Sequence, residues 1–212
     1  MSAVSRTDPR WLDTADALAR RLVTAAAPIR FAAASRRSEI DAAYRLRHDV
    51  VVDEGWITDD GAEMETDEFD NRAIHVVAWD GETAAGTVRL VTPAPGLPLP
   101  VEVSHRLVVE PQGEVAGAGR LVVARPYRDG THRVLGGLAA TLWLLMREMG
   151  YCWIAGTATT EMIGLFEHLG FEIAVLGDPD EYWGELRYPV RMGAPDPGAW
   201  AQYGSGRPQA DT

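Results

Sequence analysis

The chain contains no lysine: all 20 basic side chains among its 212 residues are arginines. Schiff-base chemistry and a Walker-type phosphate lysine are therefore excluded. A single cysteine, Cys152, rules out an internal disulfide and a multi-cysteine zinc site. No histidine stands at metal-ligand spacing with a second ligand, so no metal is expected. Apolar runs are short as well. The longest, Val134 to Met146, falls below the ~20 residues that a membrane span requires. The N-terminus carries Arg6, Asp8 and Arg10 where a secretory signal needs an apolar stretch, which points to a cytoplasmic protein. A basic excess is also missing. With 31 acids against 20 bases the formal charge is −11, which opposes binding to nucleic acid or to an anionic membrane. What the chain does have is 46% hydrophobic residues, enough for a large core in one domain.

Trp11, Leu12, Ala15, Leu18, Ala19, Leu22 and Val23 recur at helical spacing, with Asp8-Pro9 as N-cap and N1 and Pro28 as the stop. Ile29 to Ala33 suits a short strand. Ser38 is positioned to cap a second helix, Glu39 to Asp49, on which Ile40, Ala43, Tyr44 and Arg47 share a face. From Val52 to Glu68 the chain is acidic and turn-rich, long enough for an entrance lid. Ala73 to Trp79 and Ala84 to Val91 read as a hairpin about Asp80-Gly81. Pro93, Pro95, Pro98 and Pro100 argue for a loop. Arg106–Val109 and Leu121–Val123 are short strand candidates.

The second half is more regular. Val134 to Glu148 reads as a buried helix stopped by Gly150, then come a strand at Tyr151–Ala155 and a helix at Glu161–Leu169 closed by Gly170. A strand at Phe171–Leu176, a turn at Asp178-Pro179-Asp180 and a last strand at Glu185–Arg191 follow. Two helices, an antiparallel meander, then β-α-β-α-β-β predict an α/β (mixed α+β) fold, one mixed twisted sheet with helices on both faces. Residues 1–192 are expected to form a single domain and 193–212 a C-terminal tail.

Specific residues now become recognisable. Arg45-Leu46-Arg47, then Glu54-Gly55-Trp56, then Glu65-Thr66-Asp67-Glu68-Phe69-Asp70-Asn71, then Arg89-Leu90-Val91-Thr92 occur in that order. Together with the element order they resemble two branches of the GNAT N-acyltransferase fold, the acyl-homoserine-lactone (autoinducer) synthases and the N-acyl amino acid synthases. The motifs span about residues 38–125, and the GNAT-like second half extends coverage to about 191. The resemblance implies transfer of an acyl chain from acyl carrier protein or acyl-CoA to an amine. No tightly bound cofactor is implied beyond that phosphopantetheine-bearing donor. One position departs from both branches: their central strand carries Glu-x-x-Arg, whereas Gly117-Ala118-Gly119-Arg120 keeps only the arginine.

Acyl transfer to an amine requires a neutral amine, a polarised thioester carbonyl, a proton for the thiolate and a seat for the donor. The segment Arg128-Asp129-Gly130-Thr131-His132-Arg133, with Gly136-Gly137 one turn into the helix, resembles the GNAT pyrophosphate loop. Free N–H groups at a helix N-terminus attract phosphate, and Arg128 and Arg133 add charge. The donor site is therefore expected at Leu121, Val122, Val123, Arg128, Gly130, Thr131, His132, Arg133, Gly136 and Phe166. A buried acyl chain gains ~0.8 kcal/mol per methylene, so an apolar tunnel is expected among Leu121, Val123, Trp143, Leu144, Trp153 and Phe166.

For the reaction itself the candidates are Arg120 with Glu102, His105 and Glu114 as possible bases. Many GNAT enzymes place a proton-donating tyrosine where this chain has Phe166, an absence that suits the synthase branches. Asp67, Asp70 and Arg89, joined by Arg45 and Trp56, are expected to organise the lid over the acceptor. Three readings follow: an N-acyltransferase acting on an amino acid or similar small amine, an autoinducer synthase using S-adenosylmethionine, or a GNAT-fold protein that binds donor without turnover. Acyl carrier protein is acidic, so Arg125, Arg128 and Arg133 are its expected docking cluster.

Overall fold

A computed structural model describes residues 9–58, 61–168 and 171–194. The expected N-cap Asp8, the Gly170 stop and the tail beyond residue 194 lie outside the described residues. The elements are α1 (Pro9–Ala25), β1 (Arg30–Ala33), α2 (Arg37–Asp53), β2 (Ala73–Asp80), β3 (Thr83–Val91), α3 (Pro100–His105), β4 (Val115–Val123), α4 (Arg133–Glu148), β5 (Trp153–Ala158), α5 (Thr160–His168), β6 (Ile173–Val175), β7 (Asp180–Tyr182) and β8 (Glu185–Met192). A 3-10 turn at Glu68–Arg72 precedes β2, and a second at Arg125–Tyr127 follows β4. The sheet runs β1-β2-β3-β4-β5-β8-β6, with β7 paired to β8. Every pairing is antiparallel except β4 with β5.

Strand alternation assigns the two faces. Leu90, Ala116 and Ile154 lie in one core with Leu12, Ala15, Leu18 and Ala19 of α1 and Leu138, Trp143 and Met146 of α4. The neighbours Val91, Val115 and Ala155 turn the other way, against Leu99, which precedes α3, and Val101 of α3. On that second face α2 covers Val77, Trp79 and Val122 through Ala43, Leu46 and Val50. α1 and α4 are further joined by Trp143 Nε1, which donates to Asp16 at 2.7 Å.

The centre of the sheet is where it opens. β4 and β5 pair only from Val115–Gly117 against Trp153–Ala155. Farther along, the β3–β4 register slips between Thr87 and Arg89, whose partners are Val122 and Gly119. One residue of β3 therefore faces two of β4, a bulge, and Arg120 takes it up at φ 55°. The bulge bends β4 away from β5 just beyond the last paired residues. At the fork, a side chain on Gly156 would strike the Ala118 carbonyl, so glycine is what permits the approach.

Several expected boundaries shift. The Leu121–Val123 candidate is only the end of β4, whose small residues Ala116 to Gly119 carry no strand signal. The Arg106–Val109 candidate forms no strand, because α3 ends there with Arg106 in the left-handed region at φ 52°. Ser38 is not the cap of α2. The helix starts at Arg37, and the Glu39 carboxylate accepts the Ser35 and Arg36 N–H groups at 2.9 and 3.2 Å. The expected turn at 178–180 runs into β7. Gly156→Ala is expected to destabilise the fold by about 1–3 kcal/mol through forced separation of β4 and β5. Denaturant unfolding checks this; an unchanged midpoint would show that the fork is not tightly closed.

Candidate functional site

An arginine on the apolar face of a helix demands a counter-charge, because an unpaired buried guanidinium is strongly unfavourable. Arg47 occupies such a place on α2, one turn from Ala43 and Tyr44, and is 0% exposed. Arg89, in the middle of β3, is 1% exposed. The acidic segment before β2 supplies what both need. Arg47 donates to Asp70 Oδ1 and Oδ2 at 2.9 and 3.0 Å and also to Glu65. Arg89 Nη1 donates to Asp67 Oδ1 at 2.5 Å and Asp70 Oδ1 at 2.8 Å. Arg120, from the bulge, donates through Nε to Glu65 Oε1 at 3.0 Å and through Nη2 to Asp67 Oδ2 at 2.8 Å.

The same carboxylates build the turn that presents them. Asp67 accepts from the Phe69 N–H at 2.9 Å, and Asp70 accepts from the Asp67 N–H at 2.8 Å. Glu65, Asp67 and Asp70 thus balance Arg47, Arg89 and Arg120 charge for charge. Burial would raise the Asp70 pKa, but hydrogen bonds and charge from Arg47 and Arg89 outweigh it and hold the carboxyl well below the usual range. For Arg120 burial acts against the proton, and the Glu65 charge leads the effects that hold it firmly on. His75 lies alongside, edge-on to Tyr44 at 5.1 Å, and its pKa is lowered chiefly by burial. Arg89 keeps Nε and Nη2 buried without a partner among the described residues.

An aromatic roof closes this network. The β7–β8 hairpin turns at Trp183 and Gly184, both in the left-handed region at φ 53° and 66°. Trp183 lies over the Arg120 guanidinium, 4.4 Å from ring centroid to Cζ. It stacks with Tyr182 at 5.7 Å and with Trp56 at 5.8 Å, and Arg187 lies over Trp56 at 5.2 Å. Tyr182 Oη accepts a hydrogen bond from Arg120 Nη1.

Beside the roof, along the free edge of β4, runs a cavity of about 320 Å³. Leu121, Val122, Val123, Arg128, Gly130 and His132 line it, with Val50, Trp56, Tyr127 and Leu135. Six of the ten expected donor residues therefore gather there. The other four do not line it. Thr131 is turned inward, its N–H and hydroxyl both bonded to Asp129 Oδ1 at 3.0 and 2.5 Å. Arg133 reaches back to Asp129 Oδ2 at 3.2 Å. Hydrogen bonds from Thr131, then Arg133, hold the Asp129 carboxyl down to about 2. Gly136 lies inside α4, its N–H bonded to the His132 carbonyl at 2.8 Å. Phe166 is buried edge-on to Phe171 at 5.5 Å, on α5. Of the expected tunnel only Leu121 and Val123 line the cavity; Trp143 and Leu144 belong to the α1–α4 core, and Trp153 lies under Arg191 at 4.7 Å.

The expected bases lie elsewhere. Glu102 accepts from the Leu99 and Val109 N–H groups at 2.6 and 2.8 Å, which ties both oxygens to the loops around α3. His105 is held between Ser104 Oγ and the Arg187 carbonyl, each at 3.0 Å. Glu114 is exposed in the turn before β4. The missing glutamate's place is tight: a side chain at Gly117 would start 3.3 Å from Leu99 Cδ2 and Pro100 Cδ, which would have to give way. Arg45 is exposed on the outer face of α2, and its neighbour Arg47 occupies the network instead. Asp67, Asp70 and Arg89 meet in the ion-pair network, and Trp56 stacks on Trp183 beside it. Glu65, Tyr182 and Trp183 were not anticipated. Glu65 carried a signal as part of the acidic motif, whereas the hairpin pair carried none.

Among the described residues no group of His, Cys, Asp and Glu is placed to hold a metal ion, and no helix is long and apolar enough to cross a membrane. The chain matches the Acetyltransferase (GNAT) domain family over residues 46–136, from α2 into the start of α4. No curated protein matches it in sequence. Among solved structures, the CoA-dependent acyl-homoserine lactone synthase BjaI with SAM and isopentyl-CoA is 20% identical, over 79% of this chain and 81% of that one, at a TM-score of 0.59. The AHL synthase LasI is 13% identical, over 87% and 97%, at 0.63. An acyl-CoA N-acyltransferase from Pseudomonas aeruginosa is 17% identical, over 77% and 98%, at 0.51. The chain has the GNAT N-acyltransferase fold.

Because the Asp70 pKa is lowered by folding, its stabilisation is complete above the ordinary carboxylate value of ~4 and is lost as pH falls below it. Asp70→Asn is expected to cost about 3–5 kcal/mol at neutral pH by leaving Arg47 and Arg89 underpaired. The variant should also show a shallower loss of stability on acidification. Urea unfolding between pH 3 and 7 measures both.

Proposed function

We propose that the protein is an N-acyltransferase that moves an acyl chain from acyl-CoA or acyl carrier protein to the amine of an amino acid or a similar small molecule. The observation that carries this reading is the bulge at Arg120. It turns β4 away from β5, and the freed end, Leu121 to Val123, becomes one wall of a cavity that reaches the start of α4. An extended pantetheine arm fits such an edge, because it offers amides that pair with strand backbone left without a neighbour. Arg128 stands at the α4 end of the cavity, and Trp56 joins it to the Arg120 network.

The acceptor belongs on the network side. Glu65 and Asp67 provide the negative charge that draws in an ammonium group, and Arg120 neutralises them enough to let the amine shed its proton. Arg89 has two nitrogens, Nε and Nη2, without partners among the described residues, and it pairs in register with Gly119, beyond whose Cα a side chain would meet nothing within 4 Å. A carboxylate on the acceptor suits that arrangement, which favours an amino acid. Of the basic cluster offered to a carrier protein, Arg128 is paired with Glu54 and Arg133 with Asp129, and Arg125 has no ion pair among the described residues. The Gly117 position supplies no carboxylate of the kind that the central strand of both branches carries, so the acidic groups available to the acceptor are those of the network.

Thiol release from acyl-CoA and acyl-carrier-protein donors, measured with and without pooled amino acids or S-adenosylmethionine, tests the proposal. Release that depends on an amino acid is the expected result. Donor binding with no release under any condition would identify a non-catalytic binding protein instead. Arg128→Ala should raise the donor KM ~10-fold or more, the scale of a charge-assisted hydrogen bond, with kcat little changed.

A further inference from the structure

The acyl chain that a transferase accepts is set by how far apolar space continues beyond the thioester, since each methylene taken out of water gains about fourfold in binding. The donor cavity of about 320 Å³ stands at the bottom of the ~300–1,000 Å³ span of sites that enclose one small ligand. An extended pantetheine arm is itself a ligand of that order, and laid along Leu121 to Val123 it would fill most of the space. Little continues past it. From α4 only Leu135, in the first turn, lines the cavity, and no described residue of β5 does. Val50 and Trp56 close it on the α2 side.

The routes onward, under α4 and between the central strands, are filled. A side chain at Gly86 of β3 would start 2.9 Å from Leu138 Cδ1 and Val134 Cγ1, and one at Gly137 would overlap the Phe31 ring. α4 therefore rests directly on β1 and β3. Behind the first turn, Leu138 and Met146 are 0% exposed. Between β4 and β5, the Ala118 carbonyl occupies the place that a side chain on Gly156 would need. At the inner end stands Leu121, the first residue after the bulge, which lines the cavity and also packs against the α1–α4 core. We infer that the donor carries a short acyl group of about two to four carbons, and that Leu121 is the residue that ends its chain. This rests on the acyltransferase reading. A longer chain either stays in water, where added methylenes gain nothing, or displaces packed core at a cost of ~10-fold or more.

Acyl-CoA donors from acetyl to dodecanoyl, kept below their micellar concentrations and supplied with pooled amino acids, give kcat/KM as a function of chain length. The expected profile climbs about fourfold per methylene as far as about butyryl and gains nothing beyond it. An apolar tunnel would instead carry the climb on, by ~10⁴-fold between butyryl and dodecanoyl. Such a rise overturns the inference and leaves the acyltransferase reading standing. Leu121→Ala cuts the end wall back to a methyl group, and the ratio of hexanoyl to butyryl kcat/KM should rise ~10-fold. The ratio is taken within one preparation, so a reduced folded fraction cancels, and an unchanged ratio overturns the role of Leu121. Wild-type protein that releases no thiol from any CoA or carrier-protein donor, whatever the amine, overturns the acyltransferase reading and this inference with it.

Discussion

Three guanidiniums taken out of water near the centre of one sheet face set the terms for the rest of the molecule. Arg47, Arg89 and Arg120 come from a helix, a strand and a bulge, and none has its counter-charge on its own element. Glu65, Asp67 and Asp70 meet all three from a single connecting segment. The charges balance, so the segment between α2 and β2 is drawn down onto the sheet. A neutral, nearly saturated network of this kind has few alternative arrangements, because each carboxylate is shared by two arginines and moving one orphans another.

The bulge at Arg120 serves both halves of the site. Its left-handed backbone turns the guanidinium toward Glu65, Asp67 and Tyr182, and the same distortion bends β4 off β5. In the proposed reading, acceptor chemistry and donor seat are both consequences of one extra residue in one strand. The aromatic roof closes the arrangement from the far edge of the sheet. Trp183 lies over the charge that the bulge presents, and Trp56 extends the same surface to the cavity.

Local pattern revealed much of this and missed identifiable parts. The α4 helix, the β2–β3 hairpin and β5 were readable because their apolar residues repeat at the period of their own element. β4 was half hidden, since Ala116, Gly117, Ala118 and Gly119 are small in order to let neighbouring backbone and α3 approach, and small residues carry little strand signal. The motif resemblance located the acidic segment and Arg89 yet chose Arg45 over Arg47. Helical phase decides that choice: Arg47 shares the face of Ala43 and Tyr44, and Arg45 points out. The pyrophosphate-like loop was legible as a pattern, but Asp129 inside it turns Thr131 and Arg133 inward.

By itself, the order of residues determined most of the helices and strands, the charge inventory and the absence of lysine and disulfide chemistry, because periodicity and composition are properties of the chain alone. Which carboxylate meets which arginine, and that Tyr182 and Trp183 reach Arg120 from more than 60 positions away, was decided only in three dimensions. The physical reason is that ion pairs and ring stacks act over a few ångströms of space, and separation along the chain says nothing about them until the sheet has brought its strands together.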